Sequence, residues 1–172
     1  VKYTPVVFDQ FNEVVNAFAA GRCDVFTTDA SGLASIRISK LSNPDDYEVL
    51  TEIISKEPLG PFVRQGDDQW LNIVKWTLQA LINAEELGLT SANVDEALQS
   101  TNPNVQRLLG VTPGAGKNLG LDEKWAYNII KQVGNYGESF ERNVGQDSPL
   151  KIKRGLNAQW NEGGLLYGLP VR

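Results

Sequence analysis

The 172-residue chain contains no histidine, no methionine and only one cysteine. Without histidine there is no Ser-His-Asp or Cys-His catalytic set and no zinc site of the usual His/Cys kind. One cysteine excludes an internal disulfide. Basic residues are outnumbered: 16 Lys and Arg face 21 Asp and Glu, giving a net charge of -5. A nucleic-acid partner would require a basic face, so that class is set aside. No apolar run approaches the roughly 20 residues of a membrane span. The N-terminus shows no signal peptide. The lack of methionine means that Val1 is not a natural translation start, so its beginning reflects processing, truncation or an unrecorded N-terminus. Hydrolysis by a carboxylate pair stays open, but so many acidic residues make chance pairs common and single none out.

What is present suits a folded domain. Apolar residues make up 41% and charged residues 22%, neither a disordered nor a membrane composition, and the length supports a core. Lys2 to Phe8 is β-branched and aromatic and predicts a strand, at a sheet edge or starting after Pro5. Phe11, Val14, Val15, Phe18 and Ala19 follow helical spacing, with Gly21 where a C-terminal cap belongs. Cys23 to Thr28 predicts a second strand, Ala30 to Leu41 a helix, and Tyr47 to Ile54 a third strand. This alternation predicts an α/β layer with at least partly parallel pairing. Asp67 or Asp68 caps a long helix from about Gln69 to Leu87, closed by Gly88. Beyond it the texture becomes helical, with short helices at 91–100 and 102–110, a loop at 111–120, and helices at 122–133 and 137–143. The tail from Gly145 must pack on something to be ordered.

Few constellations invite chemistry. Gly114 to Lys117, GAGK, fails as a phosphate loop: Gly110 is one residue too distant, Asn118 stands where Ser or Thr is needed, and no strand precedes. A plain turn is the better reading. Cys23 lies in an apolar strand and reads as a buried, inert thiol or as the partner of a cysteine outside the chain. Trp70, Trp76, Trp125 and Trp160 read as packing residues rather than stacking platforms. Asp29 is the sharpest case. It reads as a helix N-cap, but it also ends a strand in an α/β layer, where such sheets place ligands. Thr27, Thr28 and Ser31 gather hydroxyls around it, and a carboxylate there suits an ammonium ligand.

The stretch GRCDVFTTDASGLASIR, Gly21 to Arg37, resembles the second-lobe motif of periplasmic amino-acid-binding proteins of ABC importers: G-R-x-D, an apolar strand, then x-D-x-x-x-A. SKEPLGPFVRQGDDQWLNIVKWTLQALINAEELG, LLGVTPGAGKNLGLDEKWAYNIIKQVGNYGESFERN and GLNAQWNEGGLLYGLP resemble the general L-amino-acid-binding branch, covering nearly the whole chain. The resemblance implies a type II periplasmic-binding-protein fold, here α/β with a mostly helical C-terminal extension. It implies part of lobe two over 1–50, a hinge crossing at 51–58, the return segment and long helix of lobe one over 59–88, and the extension over 89–172. It implies a non-enzymatic solute carrier for a broad range of free L-amino acids, working in the periplasm with an inner-membrane permease and without cofactor or metal. Asp29 would take the ligand's α-ammonium and Thr28 would lie beside it on the pocket wall. A carboxylate-dependent enzyme on the same fold and a non-binding structural fragment are the competing expectations.

The resemblance reaches only the C-terminal part of such proteins. It implies that most of lobe one lies outside this chain, with the arginine for the ligand carboxylate and the cysteine that would pair with Cys23. Surfaces shaped to pack on lobe one would then be exposed, and large apolar patches drive association. The chain is therefore expected to be a homo-oligomer or to rest on an N-terminal fragment. Sedimentation velocity at micromolar concentration checks this: a dimer or larger species is expected for the chain alone, and a monomer would count against it.

Overall fold

Helices supply all the regular structure in the computed structural model beyond one bridge, and it describes residues 2–171. Among those residues none pair into β-strands; a single parallel bridge joins Gln159 and Leu166. The strands expected at 2–8, 23–28 and 47–54 run instead as unpaired backbone. Their sequence signal is a local preference for a pleated, half-buried surface, whereas a strand also needs a neighbour to complete its ladder. Their side chains show the same lack: Val7 is 86% exposed and Ile54 81%. The α/β layering expected from the alternation is therefore not seen in this chain.

The chain divides into two compact units. The first runs through Pro58 and adds Pro149–Ile152; the second comprises Leu59–Ser148 and the residues from Lys153 onward. In the first unit, α1 spans Phe11–Ala19 and α2 spans Ala30–Ser39. Gly21, with φ +70°, closes α1 through its N–H to the Phe18 carbonyl. The core is small: Val15, Ile36 and Leu41, with Phe18, Phe26 and Tyr47 packed against them. Arg37 fastens the end of α2, donating from Nε to the Pro44 carbonyl at 2.7 Å.

The second unit is built on α3, Asp68–Glu86. Asp67 caps it as its spacing predicts, accepting the Trp70 N–H at 3.0 Å. Gly88, at φ +68°, ends it. The buried positions of α3 are Ala80, Ile82 and Ala84; its contact with the main core is made by the two alanines, flanked by Trp76 and Leu87. These positions recur at helical spacing and allow close approach of the helices that follow. Those are α4 (Val94–Ala97), α5 (Pro103–Leu108), α6 (Ala115–Leu119), α7 (Trp125–Val133) and α8 (Tyr136–Asn143). Leu108, Leu109, Trp125, Ala126 and Ile130 fill the centre. A capping box opens α8: Asn135 accepts the Glu138 N–H, and Glu138 accepts the Asn135 N–H. Glu138 also accepts the Ser91 hydroxyl at 2.6 Å, and Asn135 donates to the Leu89 carbonyl at 2.8 Å. The α8 cap is thus tied to the loop leaving α3.

The tail does pack, and it packs on α3. Arg154 forms two hydrogen bonds to the Glu85 carboxylate, at 2.7 and 3.1 Å, and lies over the Tyr136 and Phe140 rings. Buried Gln159 donates to the Ile82 carbonyl and to Glu85. Asn83 donates to the Leu169 carbonyl at 2.8 Å, while the Leu169 N–H donates to Gln79 at 2.7 Å.

The loop before α7 is held by one carboxylate. Glu123 accepts from the backbone N–H groups of Gly114, Gly116 and Lys117, at 2.8, 3.2 and 3.1 Å. The Gly114 bond, joined by those from Lys117 and Gly116, holds the Glu123 carboxyl below its ordinary range. Gly116 must be glycine, since a Cβ there would run into the Asp122–Glu123 backbone.

Two outcomes follow for stability. Trp125→Ala, at 6% exposure, is expected to cost about 3–5 kcal/mol in urea unfolding, against about 0.5 kcal/mol for Trp70→Ala, at 51% exposure; equal losses would contradict this core. Because the folded Glu123 carboxyl is depressed, its stabilisation is complete above the unfolded value of about 4.3 and is lost as pH falls through the lower folded value. Glu123→Gln should therefore lower the melting temperature at pH 7, with the gap to wild type closing as the pH is taken toward 3; a gap that does not change with pH would show that the charge is not what the loop uses.

Candidate functional site

The segment entering α2 is placed by one aromatic ring. Phe26 lies 6.1 Å from Phe11 and 5.8 Å from Phe18, centroid to centroid, and Phe18 meets Tyr47 at 5.4 Å. Buried Ile36 of α2 joins the same cluster. Anchored this way, Thr28 and Asp29 fall at the N-terminus of α2. Asp29 has extended backbone angles, φ -54° and ψ 146°, and its carbonyl accepts the Leu33 N–H at 2.8 Å, starting the helix.

Its side chain does something else. The Asp29 carboxylate makes no capping hydrogen bond, and neither it nor the Thr28 hydroxyl has a hydrogen-bond or ion-pair partner among the described residues. Both residues are half-buried. The cap reading of Asp29 thus holds for its backbone position and not for its carboxylate. The positive end of the α2 dipole favours an anion there, but a half-buried carboxylate without a partner is still costly. The first unit's two arginines do not relieve it. Arg37 is committed to Pro44 and Asp45, and Arg22 sits over the Phe8 ring at 5.6 Å. Of the neighbouring hydroxyls, Thr27 is exposed and Ser31 half-buried. The arrangement suits a ligand that brings its own cation.

The other candidates resolve into structure. GAGK is part of the short helix α6 and its lead-in, and the Gly114, Gly116 and Lys117 N–H groups are taken by Glu123. No pattern in the sequence marked Glu123 for this role. Cys23 is a free, half-buried thiol. Trp125 and Trp76 pack in or against the core, while Trp160 meets Tyr167 at 5.6 Å on the surface. No cluster of three or more His, Cys, Asp or Glu residues able to hold a metal occurs among the described residues. A shallow apolar groove on α3, lined by Pro61, Trp70, Ile73, Val74, Leu78 and Leu81, offers no charged group to orient a polar ligand. On α4 and α7, Asp95 accepts from Lys131 and Tyr127, both at 2.7 Å; these bonds hold its carboxyl below the ordinary range and complete a surface tie between helices.

No family model matches the chain. It is 62% identical to the general L-amino acid-binding periplasmic protein AapJ of Rhizobium johnstonii, over all of this chain and 51% of that protein. It is 53% identical to the glutamate/glutamine/aspartate/asparagine-binding protein BztA of Rhodobacter capsulatus, over 99% of this chain and 50% of that one. A solved ABC transporter/periplasmic binding protein from Brucella ovis, with glutathione bound, matches 99% of this chain with a TM-score of 0.90 at 58% identity, and 54% of that protein is covered. The chain is therefore similar over its full length to amino-acid-binding periplasmic proteins of ABC transporters, and it spans about half the length of the curated relatives it matches.

Proposed function

We propose that the chain belongs to the substrate-binding component of an ABC importer and captures free L-amino acids without chemical change. The observation that carries this reading is the Thr28–Asp29 pair: a half-buried carboxylate and hydroxyl, unpartnered among the described residues, at a helix N-terminus. An α-ammonium group satisfies that carboxylate, donating up to three hydrogen bonds. The ligands named for the relatives share this group. Glutamate, glutamine, aspartate and asparagine carry it, and glutathione carries it, beside a free carboxylate, at its γ-glutamyl end. A site that grips this shared end and leaves the remainder loosely held would accept a broad range.

The mechanism is closure. Residues 1–50 contribute part of one lobe, 51–58 the hinge crossing, 59–88 the return into the other lobe and 89–172 the helical extension. Ligand contacts made in both lobes favour the closed state, which an inner-membrane permease then reads from the periplasmic side. On this reading the chain holds half of the ligand's contacts, and the groups for its carboxylate lie in a part that the chain does not span. No helix among the described residues is long and apolar enough to cross a membrane.

Thermal shift with the twenty L-amino acids and glutathione tests the proposal, on the chain alone and joined to the remaining length of the Brucella ovis relative. A ligand at about 100 times its dissociation constant adds about 2.7 kcal/mol. Shifts with several L-amino acids are expected in the joined protein, and Asp29→Asn should remove about 3–5 kcal/mol of affinity. Shifts that survive Asp29→Asn would retire that residue from the site, and no shift in either form would overturn the function.

A further inference from the structure

We infer that Gly32 is a positioning residue for the Thr28–Asp29 pair, its missing side chain fixing how Thr28 presents its hydroxyl; this rests on the reading that the pair meets the ligand. Gly32 lies in the first turn of α2, Ala30–Ser39. Glycine is the weakest helix former after proline, and it is usually retained for a left-handed backbone or for close approach. Gly32 is not among the residues with positive φ, so the backbone does not require it. A side chain there would instead be crowded. A Cβ at Gly32 would stand 3.2 Å from Thr28 Cγ2, 3.8 Å from Thr28 Oγ1 and 4.0 Å from Asp29 Cβ.

The neighbours identify what the space is for. Gly116 makes room for the Asp122–Glu123 backbone, and Gly137 for the Glu85–Arg154 pair. Both serve packing. Gly32 instead makes room for the methyl of a residue whose hydroxyl has no partner among the described residues. No hydrogen bond there holds the Thr28 rotamer, so packing and its own staggered preference select it. Threonine is β-branched and has few open rotamers. An added methyl at position 32 has two outlets. Thr28 turns about its Cα–Cβ bond and re-aims its hydroxyl, or the first turn of α2 shifts and carries Asp29 with it. Either one changes the spacing between hydroxyl and carboxylate, and binding sites tolerate only about 0.5 Å of such misplacement.

The test is Gly32→Ala in the 172-residue chain and in the joined protein, read by Thr28 methyl NMR and by titration with L-glutamine and L-leucine. Alanine favours the helix, so folding should be kept, with circular dichroism as the check. The Thr28 methyl resonance should move to that of another rotamer, and affinity should fall about tenfold, with the preference between the two amino acids altered. Thr28→Ser removes the crowded methyl and keeps the hydroxyl. In that background Gly32→Ala should change nothing. An unmoved Thr28 methyl, or an equal loss in the Thr28→Ser background, would overturn the role given to Gly32. If no amino acid binds the wild-type joined protein, the ligand reading fails, while the methyl resonance still decides whether Gly32 sets Thr28.

Discussion

The ion pair between Arg154 and Glu85 is the joint on which the second unit depends. Only 19% and 16% of the two side chains remain exposed. Two charges taken this far out of water cost several kcal/mol each unless their remaining hydrogen bonds are met. Here most are. The guanidinium makes two bonds to the carboxylate, donates to the Asn157 carbonyl, and rests on the faces of Tyr136 and Phe140. The carboxylate also receives Gln159. One contact therefore binds α3, α8 and the tail, with 69 positions of sequence between Glu85 and Arg154. The small residues on α3 bring the helices close, and this pair holds the tail against them.

What sequence made legible was local. Helical spacing marked Phe11, Val14, Val15 and Phe18 of α1, and capping chemistry marked both ends of α3 at Asp67 and Gly88. Each of these signals acts within one or two turns, so no knowledge of the rest of the chain is needed. The strands at 2–8, 23–28 and 47–54 did not form, because propensity is local and pairing is not. The long helix carried a subtler trap. Its bulky Trp70, Ile73, Leu78 and Leu81 are exposed or half-buried, whereas Ala80, Ile82 and Ala84 are buried. Size is a poor guide where close helix approach is what packing requires. Arg154 and Glu123 were unreadable for the same reason: their partners are set by tertiary structure.

The candidate site was half legible. Position singled out Asp29, and it does begin a helix. That its carboxylate leaves the helix uncapped could only be seen in three dimensions. This distinction matters energetically, since a cap would contribute about 1 kcal/mol to folding, whereas an unpartnered carboxylate withholds that contribution from the fold. The pair also stands on the smaller of the two cores. Elements that bind and release ligands are commonly drawn from the less stable parts of a protein, and a core of three buried residues with three aromatic neighbours fits that pattern.

The grip on Leu169 has a consequence for how the tail can change. Asn83 and Gln79 read only the backbone of that residue, one amide taking its carbonyl and the other its N–H. The leucine side chain is only partly exposed, at 41%, but neither bond touches it. The clamp is therefore indifferent to side-chain identity while fixing the register of the chain to the residue. These two bonds themselves ask nothing of the side chain at position 169. Proline there would break one of them, because it has no N–H to give.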